Sequence, residues 1–304
     1  MTNYYKPLEY IVPPEDEGLL LRTVLTNRMG LSRKLISRLK LTEQGITVNG
    51  ERRYIDVKLA SGDRVAIRML EEQSDDILPE PMELNVLYED DELLVLNKQA
   101  GLIVHPTHGH YTGTIANGVV HYWQERGVRF RFRPIHRLDQ ETSGTLAIAK
   151  NPYVHQQISE ELQAHGVMKE YVALVHGELQ QEVGTVDAPI DRSPEQPHVR
   201  IVTPSGYSAV THYRVEQRLR GATLVRLRLE TGRTHQIRVH MKHLGHPLVG
   251  DKLYGAGGHS DDDLIGRQAL HACLLAFTHP TRKAWITFEA PLPDDMRSCI
   301  ERLT

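Results

Sequence analysis

The sequence predicts an α+β protein, with a large mixed or antiparallel β-sheet flanked by helices and loops and a small α/β domain ahead of it. Three observations carry that expectation. Strand signals recur from Leu84 onward without the regular strand-helix alternation of a parallel, doubly wound sheet. Charge is segregated: residues 18–70 hold eleven Lys/Arg against four acids, a net of +7, whereas residues 71–92 hold ten acids and no Lys/Arg, a net of −10. The 304 residues, 40% apolar and 25% charged, can build one large core and a satellite at about 100–200 residues per domain. The expected boundaries are 15–75 for the small domain, 76–83 for an acidic linker containing Pro79 and Pro81, and 84–304 for the large domain.

In the small domain, Ser32 is placed to cap a helix with Leu35, Ile36 and Leu39 on one stripe and Arg33, Lys34 and Arg38 largely off it. Gly45 is placed to end that helix. Ile46–Val48 then reads as a strand entering an Asn49-Gly50 hairpin turn, with Val65–Ile67 as a further strand. In the large domain, Leu84–Tyr88 and Leu93–Asn97 read as strands separated by an acidic turn. Gly144–Lys150 reads as a third, with Leu146 and Ile148 alternating inward. Asn151 caps a helix over Pro152–His165 that Gly166 ends; Glu170–Val175 and Ala222–Glu230 are strands; Arg233–Leu244 is a helix stopped by Gly245 and Pro247.

Composition excludes disorder and collagen-like repeats. With no run of about 18 uncharged apolar residues and no basic-then-apolar leader before Ile11, a soluble cytoplasmic protein is expected. Cys273 and Cys299 are too few for a disulfide framework and lack zinc-site spacing, so both are expected to be reduced. The net charge of −3 seems to argue against a polyanionic partner, but the average hides the basic module. A charged helix face is often merely solvated, and charge alone leaves that reading level with RNA binding.

The sharpest local feature is the polar run His136-Arg137-Leu138-Asp139-Gln140-Glu141-Thr142-Ser143-Gly144, between Pro134 and a strand. A turn at a sheet edge presents reactive side chains, and an aspartate there can act as nucleophile or acid/base if cations keep it ionised. The competing reading is a turn in which Asp139 and Thr142 only bond local amides. His235, His240, His243 and His246 lie close enough in sequence to raise a metal site. Arg238 and Lys242 share a helical face with His235, however, and no His-Glu-x-x-His arrangement is present, so no metal is expected. No Gly-x-Gly-x-x-Gly or Gly-Lys-Ser/Thr loop calls for a nucleotide cofactor.

The His136–Gly144 run resembles the catalytic motif of the RluA family of RNA pseudouridine synthases. Lys169-Glu170-Tyr171 with Val172–Val175 resembles that family's second motif. Gly232–His240, with Gly245-His246-Pro247, Gly250-Asp251 and Tyr254, resembles the third, and Leu270-His271-Ala272 with His279-Pro280 a later segment. The similarity runs in order over about residues 84–293. The basic module is similar to the S4 RNA-binding domain that precedes the catalytic domain in the RluC/RluD-like branch acting on large-subunit ribosomal RNA, and departs from it at Leu21-Arg22.

The resemblance implies the pseudouridine synthase catalytic fold and a cofactor-independent isomerase. Asp139 would be the catalytic carboxylate, Arg238 its ion-pair partner, and Tyr171 the residue that stacks on the extruded base and assists at C5. Arg137 would fill the gap left by the flipped nucleotide or bind its phosphate. His136, Arg33, Lys34, Arg38, Arg233 and Leu270 complete the expected RNA contacts. The expected partner is RNA, 23S ribosomal RNA before transfer RNA, with no membrane, no metal and a monomeric chain. Two other readings compete: a catalytically silent RNA-binding or ribosome-assembly protein, and a base-releasing glycosylase.

Overall fold

The computed structural model describes residues 3–255 and 264–304. The small N-terminal part is a four-stranded antiparallel sheet, order β1-β4-β2-β3, formed by β1 (Leu8–Ile11), β2 (Ile46–Val48), β3 (Glu51–Arg52) and β4 (Arg64–Ile67). It carries α1 (Leu21–Thr23), continued by a π turn over Val24–Arg28, and α2 (Arg33–Leu39). The Ser32 hydroxyl accepts the Leu35 N–H at 3.2 Å, so α2 starts where the sequence signals it. Asn49 and Gly50 both have positive φ, 52° and 83°, as a tight hairpin turn requires. The chain turns out of α2 before Gly45. A Cβ at Gly45 would stand 2.0 Å from the Leu39 carbonyl oxygen, so this glycine serves close backbone approach rather than helix termination.

The large domain is a nine-stranded sheet comprising β5 (Val86–Glu89), β6 (Leu93–Lys98), β7 (Ser143–Ala149), β8 (Met168–His176), β9 (Val183–Asp187), β12 (Val210–Leu219), β13 (Ala222–Leu229), β14 (Leu270–Thr278) and β15 (Trp285–Glu289). Between β9 and β12, β10 (Ile190–Arg192) and β11 (Arg200–Val202) form a separate hairpin. The strand order is β5-β6-β7-β14-β8-β13-β12-β9, with β15 pairing the C-terminal part of β14 beyond its short contact with β7. Only β7 and β14 run parallel, which makes the sheet mixed and otherwise antiparallel.

Both faces of the central strands are covered. Leu94, Leu96, Leu146 and Ile148 pack toward α3 (Ile115–Glu125), while Leu93, Val95, Ala147 and Ala149 pack toward α4 (Pro152–Gln163) and the small domain. Strand β7 is therefore buried along its whole length, and the simple inward alternation expected for Leu146 and Ile148 describes only one of its two buried faces. Strand β8 divides likewise: Tyr171, Ala173 and Val175 face the α3 side with α5 (Gln236–His243), and Val172 and Leu174 face α6 (Asp294–Leu303).

The small domain is fastened to α4. The Tyr153 hydroxyl donates to the Met29 carbonyl at 3.0 Å, Gln156 and Gln157 both donate to the Gly30 carbonyl, and the Ser32 N–H donates to Gln156. In the acidic segment, Glu72 takes Arg38 from one side and Arg131 and Arg133 from the other, and Ile77 is buried. No helix among the described residues is long and apolar enough to cross a membrane.

Candidate active site

The turn ahead of β7 carries Asp139, and the surrounding backbone fixes it. The Thr142 N–H donates to the Asp139 carbonyl at 3.0 Å, closing the turn. Lys98 lies 1% exposed at the end of β6, and its ammonium donates to the carbonyls of Gln99, Leu102 and Gln140 at 2.8–2.9 Å. Burial lowers the Lys98 pKa to about 7, and the three carbonyls satisfy its three donors. Arg267 adds a bond to the Glu141 carbonyl at 3.0 Å. Sequence reasoning passed over Lys98 and Arg267, since neither stands in the polar run whose carbonyls they hold.

With the turn closed by backbone, the Asp139 carboxylate is left facing outward. Arg238 Nη1 is 3.6 Å from its Oδ2, and His235 Nε2 is 4.0 Å away. The amide-bonded turn that competed with the functional reading therefore describes the backbone and not this side chain. Arg238 is held by a second acid: Nε meets Asp251 Oδ2 at 2.7 Å and Nη2 meets Oδ1 at 2.8 Å. Burial opposes both charges, but the pairing prevails, raising the Arg238 pKa and lowering that of Asp251. Asp251 also accepts the Leu253 and Tyr254 N–H groups. The Gly250-Asp251 pair was legible as part of a motif, yet its job as the clamp on Arg238 was not.

Arg238 rises from α5, whose start departs from expectation. His235 adopts a left-handed φ of 58°, so the helix begins at Gln236 rather than Arg233. The Gln236 side chain accepts the Arg233 N–H and the Thr231 hydroxyl, stabilising a turn in place of the first helical coil. His235 Nδ1 shares a 2.8 Å hydrogen bond with the Tyr254 hydroxyl, which also accepts the Arg200 N–H. His240 is engaged with Thr211 and the Ala188 carbonyl, and His246 with the His176 carbonyl. These histidines do not converge on a common centre.

Asp139, Tyr171 and Arg238 line one cleft of about 580 Å³, together with Arg137, His136, Arg233 and Leu270. Tyr171 is 8% exposed, and burial, reinforced by the Asp139 charge, pushes its phenol well above the ordinary value, keeping it protonated. Leu270 is buried in the floor, and Arg137 is exposed at the mouth. Arg233 donates to the Ser208 carbonyl and lies over the Tyr207 ring. His136 stands in the cleft wall: burial drives its pKa to about 3, and Nε2 accepts the Ala147 N–H, so the imidazole is uncharged there. Arg33, Lys34 and Arg38 stay on the small domain, outside the cleft; Arg38 is paired with Glu72, while Arg33 and Lys34 are exposed.

A carboxylate beside a clamped guanidinium, in a cleft with a protonated phenol, suits chemistry at a sugar-base bond, and the comparisons name the class. The sequence profile of the RNA pseudouridylate synthase family matches residues 92–243. The chain belongs to that family and is an isomerase. Among its relatives, the Bacillus subtilis protein YlyB, described as an uncharacterized RNA pseudouridine synthase, is 44% identical over 261 residues, covering 85% of each chain. The ribosomal large subunit pseudouridine synthase D of Yersinia pestis is 40% identical over 280 residues, covering 88% of this chain and 86% of that one. Human RNA pseudouridylate synthase domain containing 1 superposes with a TM-score of 0.58 at 28% identity, over 72% of this chain and 90% of the human one.

Proposed function

We propose that this chain converts uridine to pseudouridine in large-subunit ribosomal RNA, with Asp139, Arg238 and Tyr171 as its reacting group, ion-pair partner and base platform. The observation that carries the reading is Asp139 facing the cleft 3.6 Å from an Arg238 that Asp251 already holds. The reaction breaks N1–C1′, turns the uracil, joins C5 to C1′, removes the C5 proton and returns one proton to N1, with no net change of atoms. A carboxylate can serve it by adding to the sugar, by stabilising positive charge at C1′ or by taking the 2′ proton, and all three need an ionised Asp139. Arg238 lies beside that carboxylate as its ion-pair partner, and the Tyr171 ring offers a stacking face to an extruded base, its hydroxyl a proton carrier near C5.

The small domain, residues 15–75 in this reading, is an S4-like RNA grip joined through 76–83 to a catalytic domain of residues 84–304. Exposed Arg33 and Lys34 on α2 support it, as does the net charge of +7 over residues 18–70. Large-subunit ribosomal RNA is favoured over transfer RNA by the pairing of this basic module with the catalytic domain and by the similarity to the Yersinia pestis protein; in this reading the enzyme is cytoplasmic and acts as a monomer. Mapping pseudouridine by chemical labelling of RNA from a deletion strain and its parent tests the proposal. One or more ribosomal positions lose the label if it holds. An unchanged map favours a silent RNA-binding protein, and free uracil with an abasic sugar favours a glycosylase.

A further inference from the structure

Six lysines and arginines are buried among the described residues, and five of them have hydrogen-bond or ion-pair partners in the protein. Lys98 has its three carbonyls, and Arg238 has Asp251. Arg133 meets Glu72 at 2.6 Å, Lys150 meets Glu89 at 2.8 Å, and Arg267 meets Asp295 at 2.7 Å. Lys169 is the exception: at 8% exposure, its ammonium has neither a carboxylate nor a carbonyl partner among the described residues. Partial burial lowers the Lys169 pKa, while Nζ, not being one of the fully buried partnerless atoms, keeps contact with solvent. Its position explains why the arrangement is useful.

Lys169 lines the same cleft as Asp139 and Tyr171, and sits two residues before Tyr171 on β8, hence on the same face and about 6.6 Å along the strand. Its Nζ lies beside Gly232, an exposed residue where even a Cβ would stand only 3.5 Å from the nitrogen. Exposed Arg137 and Arg233 line the cleft as well. The ammonium is therefore reachable from the mouth past a residue with no side chain.

We propose that Lys169 is an anion-binding residue completed by the substrate, taking a non-bridging phosphate oxygen of the RNA strand that delivers the target uridine into the cleft. The inference rests on the RNA-modifying reading above and adds a specific contact to it. A phosphate supplies the countercharge that the protein withholds, so the residue costs stability in the free enzyme and returns it on binding.

The test uses the full-length protein, its Lys169→Gln and Lys169→Arg variants, and an unmodified transcript of large-subunit ribosomal RNA, with affinity measured over a series of KCl concentrations. Lys169→Gln is expected to weaken binding about tenfold or more and to lower the slope of log affinity against log salt by about 0.7 to 0.9, the signature of one lost phosphate contact. Lys169→Arg is expected to keep the slope. Thermal melting without RNA gives an independent readout: Lys169→Gln melts at or above the wild-type temperature, because a largely buried cation with no protein partner has been removed. A wild-type slope in Lys169→Gln, or a variant markedly less stable than wild type, overturns the phosphate contact alone. A wild-type protein whose affinity for the transcript does not respond to salt overturns the RNA reading, and this proposal with it.

Discussion

Arg238 and Asp251 meet edge to edge through two parallel hydrogen bonds of 2.7 and 2.8 Å, both residues less than a tenth exposed, and the remaining Nη1 of Arg238 is the group nearest Asp139. Asp251 thus fixes the plane of the guanidinium, and through it the direction of the charge that Asp139 meets. Replacing Asp251 with Asn keeps one acceptor but not the charge, and Arg238 is free to turn. The expected result is a fall in kcat of about 10²-fold, as for a reacting group misplaced by about an ångström. RNA affinity is expected to change little. Asp251→Ala, which strands a buried guanidinium, should cost about 3–5 kcal/mol in denaturant unfolding.

Lys98 acts on the same turn from below. Lys98→Met leaves the carbonyls of Gln99, Leu102 and Gln140 without this donor, at about 1–3 kcal/mol for each carbonyl that finds no replacement. Hydrogen exchange at residues 139–142 should accelerate and kcat should drop. A variant with native exchange rates at that turn would show that Lys98 does not hold it.

Tyr171 separates two roles. Tyr171→Phe retains a stacking ring and should bind RNA as wild type does while losing turnover. Tyr171→Leu should lose both affinity and turnover. Equal turnover in Tyr171→Phe and wild type would remove the hydroxyl from the reaction.

How far the sequence discloses this arrangement varies by element. The capped α2, the Asn49-Gly50 hairpin and the strands at Leu93–Lys98 and Met168–His176 follow from local signals, because caps, turns and apolar runs act over a few residues. The clustering of Asp139, Tyr171 and Arg238 is anticipated from the motifs. What local pattern does not encode is the clamp and the support: Asp251 reaches Arg238 from thirteen residues further on, and Lys98 reaches Gln140 across 42 residues. The left-handed His235 hides as well, since a run such as Arg233-Thr234-His235 carries no glycine to mark the turn. β1 is also unannounced; it is short and half exposed, and becomes a strand by pairing with β4 from the far end of the small domain.

Gly144 joins the Asp139 turn to the sheet at the parallel β7–β14 crossing. Its φ is +116°, and a Cβ would stand 2.1 Å from the Ala272 carbonyl oxygen. Gly144→Ala is expected to destabilise the fold by at least about 1–3 kcal/mol through backbone strain, with the clash adding to that. A melting temperature equal to wild type would contradict the geometry.

In the small domain, Asp16 accepts from Arg28 and Tyr10, and those bonds lower its carboxyl pKa from the ordinary 3.8 to about 2. A carboxylate depressed in the fold stabilises it above the ordinary value, and that contribution is lost as pH falls from about 4 through 2. Asp16→Asn should therefore reduce stability at pH 6 and narrow the difference between pH 6 and pH 2. An NMR titration placing the Asp16 carboxyl at its ordinary value would refute the pairing.

The central claim is that an ionised Asp139 carries out the isomerisation. The most direct measurement is pseudouridine formation by purified Asp139→Asn on an unmodified large-subunit ribosomal RNA transcript, with RNA affinity measured alongside. Loss of product with affinity close to wild type is the predicted result; substantial pseudouridine made by the pure variant would contradict it.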